Sequence, residues 1–120
     1  MENKKNTNID VTEVDGIVII HTSDVMDMEY SSSLLEFRKE LFADGKYNII
    51  FDLQNTDYIN STAMGSMMSY VKNLPKGGAI KLCNIRPHIL EVLNMTRFDR
   101  LFGIYDTIDA ARHSFVDNNK

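Results

Sequence analysis

A chain of 120 residues, 43% of them hydrophobic, has material for one core and too little for two ordinary domains. Seventeen acidic residues against thirteen basic ones leave a formal charge of −4, and Lys72, Lys76 and Lys81 are scattered rather than clustered. That balance argues against direct nucleic-acid binding, which needs a basic face to meet phosphates. No apolar run approaches the ~20 residues that span a bilayer, and residues 1–6 are polar with no apolar stretch to act as a signal, so the expectation is a cytoplasmic protein without membrane insertion.

Residues 1–8 and 116–120 are polar and aperiodic and are expected to be flexible ends around a single domain at 9–115. Ile9, Val11 and Glu13 alternate with polar neighbours, Asp15-Gly16 is a two-residue turn signal, and Ile17-Val18-Ile19-Ile20 follows as a buried run. Together these predict a β-hairpin. A polar loop from His21 to Tyr30 leads into Leu34, Phe37, Leu41 and Phe42 at helical spacing, with Ser33 and Glu36 set as a capping box and Gly45 ending the helix. Residues 47–53 form a β-branched and aromatic run that predicts a buried strand. Met64, Met67, Met68 and Val71 then fall at i, i+3, i+4 and i+7 and predict a helix over about 62–74.

Pro75-Lys76-Gly77-Gly78 ends that helix, and a strand at 79–84 and a Pro-initiated helix at about 87–95 come next. The βαβα alternation implies a largely parallel sheet covered by helices. Residues 101–105 read as a last strand, and Asp106 or Thr107 caps a final helix with Ile108, Ala111 and Phe115 facing inward.

Ser61 and Thr62 sit where an extended segment becomes an amphipathic helix. Free backbone N–H groups and the helix dipole favour a negative group there by roughly 0.3–1 kcal/mol. On spacing alone Asn60, Ser61 or Thr62 could equally serve as the helix cap. Other chemistry finds little support. His21, His88 and His113 are far apart and read as surface or structural residues rather than metal ligands. No nucleophile elbow surrounds Ser61 or Ser66, and no phosphate-binding loop of the Walker type occurs. Asp24, Asp27 and Glu29 read as solvated loop acids rather than a catalytic pair. Cys83 lies on an apolar strand and reads as a small core residue, and Met64, Met67 and Met68 read as core filling, some of them available to a partner surface. No catalytic residue, cofactor or metal is expected.

Phe51-Asp52-Leu53 followed by Ile59-Asn60-Ser61-Thr62-Ala63-Met64-Gly65 resembles a motif of the STAS-domain family, specifically of the bacterial anti-sigma-factor antagonists. There a strand ending in Asp-Leu precedes a hydrophobic residue and Asp-Ser-Ser/Thr-Gly-Leu/Met-Gly. Asn60 stands where the family usually has Asp, and Ala63 where it usually has Gly. The likeness continues through Gly77-Gly78, the strand at 79–84 and the helix opened by Pro87. Upstream, Asp27, seven residues before Leu34, resembles the family's loop aspartate, with Asp24 in place of a Gly.

The resemblance implies one α/β domain, with a mixed, mostly parallel five-stranded sheet, about four helices and an antiparallel first edge strand. It also implies a non-enzymatic switch. Unmodified, the protein binds an anti-sigma factor that is also a serine kinase; phosphorylation on Ser61, with Thr62 as a secondary acceptor, prevents binding, and a serine phosphatase reverses it. Asp27, Asn60, Ser61, Thr62 and Met64 are the expected contact residues. Two alternatives stand beside this reading. One is an unphosphorylated STAS interaction module, such as a stress-signalling scaffold or a lipid-transporter accessory subunit; the other is a small hydrolase using Ser61.

Overall fold

In the computed structural model, which describes residues 9–118, β1 (Asp10–Val14) and β2 (Ile17–His21) pair antiparallel across a turn at Asp15 and Gly16. Both turn residues have positive φ, 53° and 79°, the conformation a tight two-residue hairpin demands and Asp-Gly supplies. The chain continues through β3 (Val25–Met26), α1 (Met28–Ala43), β4 (Asn48–Asp52), β5 (Tyr58–Ile59) and α2 (Ser61–Lys72). It then forms β6 (Ala79–Cys83), α3 (Pro87–Met95), a 3-10 turn at Phe98–Leu101, β7 (Gly103–Tyr105) and α4 (Ile108–Asn118). The main sheet has the order β1-β2-β4-β6-β7, with only the β1–β2 pair antiparallel. This is the expected mixed five-stranded sheet with four helices.

The period-2 alternation of β2, β4 and β6 divides the core between two faces. Val18, Ile20, Ile49, Phe51, Ile80 and Leu82 join the cluster formed with α1, α2 and α3. Ile17, Ile19, Ile50 and Cys83 join the smaller cluster with Ala111 and Phe115 of α4. Tyr70 of α2 sets its ring edge-on to Phe51 at 5.0 Å and donates its hydroxyl to the Leu34 carbonyl at 2.7 Å, so one side chain ties α2 to both the sheet and α1. Met67 is fully buried, while Met64 and Met68 are partly buried against the same cluster. Cys83 is fully buried, and burial, with the nearby Asp52, pushes its thiol up to about 12.

Several expected boundaries move. The first helix starts at Met28, not at Ser33. Asp27 is its cap, and Ser33 lies in the second turn. The Ser33–Glu36 pattern loses because Tyr30 and Ser31 are already buried, so packing extends the helix back to a carboxylate that can cap it. The second helix spans Ser61–Lys72 rather than 62–74. Residues 98–101 form a 3-10 turn, which confines the last strand to Gly103–Tyr105, and Thr107 rather than Asp106 caps α4, its Oγ1 accepting from Ala110 N at 3.1 Å. Segment 1–8 lies outside the described residues. At the other end the helical backbone continues to Asn118, and 119–120 lie outside.

Gly78 shows how tightly the sheet is joined to the turn before it. A Cβ at this position would lie 2.6 Å from Tyr47 Cβ and 2.7 Å from the Tyr47 carbonyl oxygen. Gly78→Ala therefore forces the backbone apart where β4 and β6 begin to pair. It should cost about 1–3 kcal/mol in chemical denaturation, the range for overpacking a tight site.

Candidate functional site

The site is built on a two-stranded ribbon too short to be read from sequence. β3 and β5 pair in parallel, Val25 with Tyr58 and Met26 with Ile59. Asp24 O accepts from Asp57 N (2.8 Å) and Tyr58 N (3.1 Å), and Met26 O accepts from Asn60 N (3.2 Å). Met26 and Ile59 are buried and anchor the ribbon, while Val25 and Tyr58 are 44% and 53% exposed.

Because each strand runs straight into a helix, the ribbon delivers two caps side by side. Asp27 Oδ1 accepts from Tyr30 N at 3.0 Å to open α1, and Asn60 Oδ1 accepts from Ala63 N at 2.8 Å to open α2. Of the three residues that could have capped α2, Asn60 does so. Ser61 and Thr62 are the first two helical residues and both are exposed. Among the described residues neither hydroxyl has a hydrogen-bond partner.

Small residues let the two helix starts approach. Ser31 is buried, with its hydroxyl 3.0 Å from both the Thr62 carbonyl and Ser66 Oγ, and Ser66 in turn donates to the Ala63 carbonyl at 2.9 Å. Ala63 is fully buried, so its methyl group fills space within the fold. Gly65 differs: it is exposed, and a Cβ there would meet nothing within 4 Å.

A polar network holds the segment that feeds β5. Asp52, 5% exposed at the end of β4, accepts from Asn84 Nδ2 (2.9 Å), Gln54 N (3.1 Å) and His21 Nδ1 (2.8 Å), and His21 Nε2 lies 3.0 Å from the Thr12 hydroxyl. A carboxylate only accepts, so the His21 proton sits on Nδ1. The buried hydroxyls of Thr22 and Thr56 bond to each other, and Thr56 also donates to the Ser23 carbonyl at 2.7 Å. From the far side, Arg86 Nε donates to the Gln54 carbonyl (3.0 Å), and Arg86 and His88 both meet the Asp57 carboxylate, at 3.3 and 3.1 Å. Sequence reasoning missed Asp52, Thr56 and this clamp. The one available signal was a carboxylate ending an otherwise apolar strand.

The structure thus brings Asp27, Asn60, Ser61 and Thr62 together and leaves Met64 partly buried behind them. Around them lie exposed apolar side chains, Val25, Tyr58 and Met28 (65% exposed). Beside the start of α1 an open depression of about 300 Å³ is lined by Ser23, Asp24, Val25, Asp27, Glu29 and Tyr30. Its three acids are exposed, so this flank is negative. Among the described residues no group of three or more His, Cys, Asp or Glu side chains is arranged to hold a metal ion, and no helix is long and apolar enough to cross a membrane.

Comparison with known proteins gives this geometry a context. The STAS domain family model matches residues 8–111. The chain is 27% identical over 107 residues to the putative anti-sigma factor antagonist BtrV of Bordetella bronchiseptica, covering 86% of this chain and 90% of that protein. Its fold is similar to that of an anti-sigma factor antagonist from Mycobacterium paratuberculosis (TM-score 0.81, 20% identity, 90% and 92% of the two chains). It is similar also to the phosphorylated form of the Bacillus cell fate determinant SpoIIAA (TM-score 0.69, 16% identity, 93% and 99%).

Asp27 therefore has a structural task as well as an exposed position. Asp27→Ala and Asn60→Ala should each cost about 0.5–2 kcal/mol, as removal of a side-chain cap does. Asn60→Asp should be neutral to slightly stabilising, since it keeps the acceptor and adds a negative charge at a helix N-terminus. Thermal melts of the three variants check both statements.

Proposed function

Because the chain belongs to the STAS domain family, we propose that it acts as an anti-sigma factor antagonist, binding an anti-sigma factor through the paired helix starts and released from it by phosphorylation of Ser61. The partner is itself the serine kinase, and a separate serine phosphatase restores the binding form. The observation that carries this reading is the division of labour at the start of α2. Asn60 provides the cap, so the Ser61 hydroxyl is exposed and without structural duty, and modifying it breaks no hydrogen bond of the fold.

A phosphate there adds about −1.5 to −2 charges at pH 7. Its own domain accepts them, because Ser61 lies at the positive end of α2 with the start of α1 alongside. A partner resting on Val25, Met28 and Tyr58 would have to bury that charge beside Asp24, Asp27 and Glu29, which costs far more than leaving it in water. The chain's own part is to present a hydroxyl and a surface, a role that requires no catalytic group. Thr62 is the secondary acceptor.

Gly65 supports the same surface. A glycine inside a helix costs roughly 0.5–1 kcal/mol relative to alanine, and nothing in the fold needs the missing Cβ. The room beside it serves a partner's close approach to α2.

Ser61→Ala should melt within about 1 °C of the parent and lose kinase-dependent phosphate on intact-mass analysis; full phosphorylation of that variant would move the acceptor to Thr62 or Ser66. Ser61→Asp should bind the partner more weakly than Ser61→Ala, and equal affinities would remove the electrostatic mechanism. A protein that no kinase of its host modifies, yet that still binds its partner through this face, would instead be a constitutive interaction module.

Gly65→Ala separates stability from binding. It should raise stability by about 0.5–1 kcal/mol while weakening partner affinity in a calorimetric titration. Unchanged affinity would assign the glycine no part in recognition.

A further inference from the structure

A second exposed apolar surface lies away from the site. It comprises Met95 (76% exposed), Leu101 (40%), Val92 (37%) and Ile104 (36%), contributed by α3, the 3-10 turn packed on it and the edge strand β7. Val92 and Met95 are three residues apart and so share one side of α3, while Ile89 and Leu93 face the core. Among the described residues β7 pairs only with β6, on its inner side, so the patch meets an open sheet edge, a feature that soluble proteins seldom leave beside exposed apolar side chains.

Its border carries charge of both signs. Glu91, Arg97 and Arg100 are exposed and Asp99 is half-buried. Among the described residues none of these four belongs to an ion pair. Two acids and two bases around an apolar centre give a rim of balanced charge, which two copies can meet without net repulsion. Elsewhere the chain's excess of acids, 17 against 13 basic residues, sets two copies against each other, whereas here the rim is balanced.

We propose that this edge is where a second copy of the chain docks, related by a two-fold axis that lays the apolar patch of each copy on that of the other and sets the acids of one rim against the bases of its mate. In an isologous contact each residue pair occurs twice, so the two acids and two bases can form up to four pairings. α2 and α3 both run from the carboxyl ends of the strands toward their amino ends. The starts of α1 and α2 therefore lie at one end of the domain, and Met95 and the 3-10 turn at the other. Docking leaves Ser61 free in both copies.

Sedimentation velocity over about 1–200 µM, the range in which a small protein interface dissociates, tests the proposal. The parent should convert from monomer to dimer with concentration. Met95→Lys and Ile104→Lys should each weaken the dimer at least about tenfold, with the melting temperature at the monomeric, low-concentration end of the range unchanged. A double variant Arg97→Glu, Arg100→Glu and its counterpart Glu91→Lys, Asp99→Lys should each be monomeric alone and form a heterodimer when mixed. A parent that stays monomeric at the top of the range overturns the proposal. So does a dimer indifferent to the lysine substitutions, or a mixture of the two charge variants that does not associate.

Discussion

The parallel pairing of two two-residue strands is the constraint on which the rest of this molecule's surface depends. Met26 and Ile59 enter the core as neighbours, and each is followed by a residue whose side chain caps a helix. Two helices that are far apart in sequence therefore start at the same place and at the same level. Neither strand would hold alone, since two residues offer too few hydrogen bonds to offset the entropy of fixing them. What fixes them is the combination of buried anchors beneath and helices beyond. The ribbon and the helix starts form one cooperative unit, and a change in either is felt in both.

Behind this surface the fold places polar groups where apolar ones would pack more simply. Asp52, Thr22 and Thr56 are all nearly inaccessible, yet their hydrogen bonds run to His21 and Asn84, at the ends of β2 and β6, and to Gln54 and Ser23, in the loops toward β5 and β3. A satisfied polar network of this kind has directional demands that hydrophobic contact lacks, so it selects one loop conformation. Arg86 and His88 reinforce it from the start of α3. The segment presenting Ser61 is thus held from three sides while the serine itself is left free.

Much of this was legible in the sequence, and the parts that were not share a cause. The hairpin, the strands at 48–52 and 79–83 and the helix beginning near Ser61 announce themselves because their apolar residues repeat with a clear period. The start of α1 does not: Met28, Glu29 and three successive serines carry no apolar pattern, and only tertiary burial of Tyr30 and Ser31 makes that stretch helical. β3 and β5 are shorter than one alternation and so have no period to detect. Ser61 could be placed at a helix start by its motif, but spacing left it and Asn60 interchangeable as caps. Only the hydrogen bond from Ala63 N to the asparagine assigns the cap. Asp52 ended a strand convincingly without betraying how many groups converge on it.

The buried thiol has a consequence for the conditions under which such a protein works. Cys83 is the only cysteine, and burial pushes its thiol up to about 12, which disfavours the thiolate, the form that reacts with peroxide or a disulfide. The fully covered side chain also keeps the sulfur from contact with oxidants. Redox stress therefore has no thiol handle on this domain.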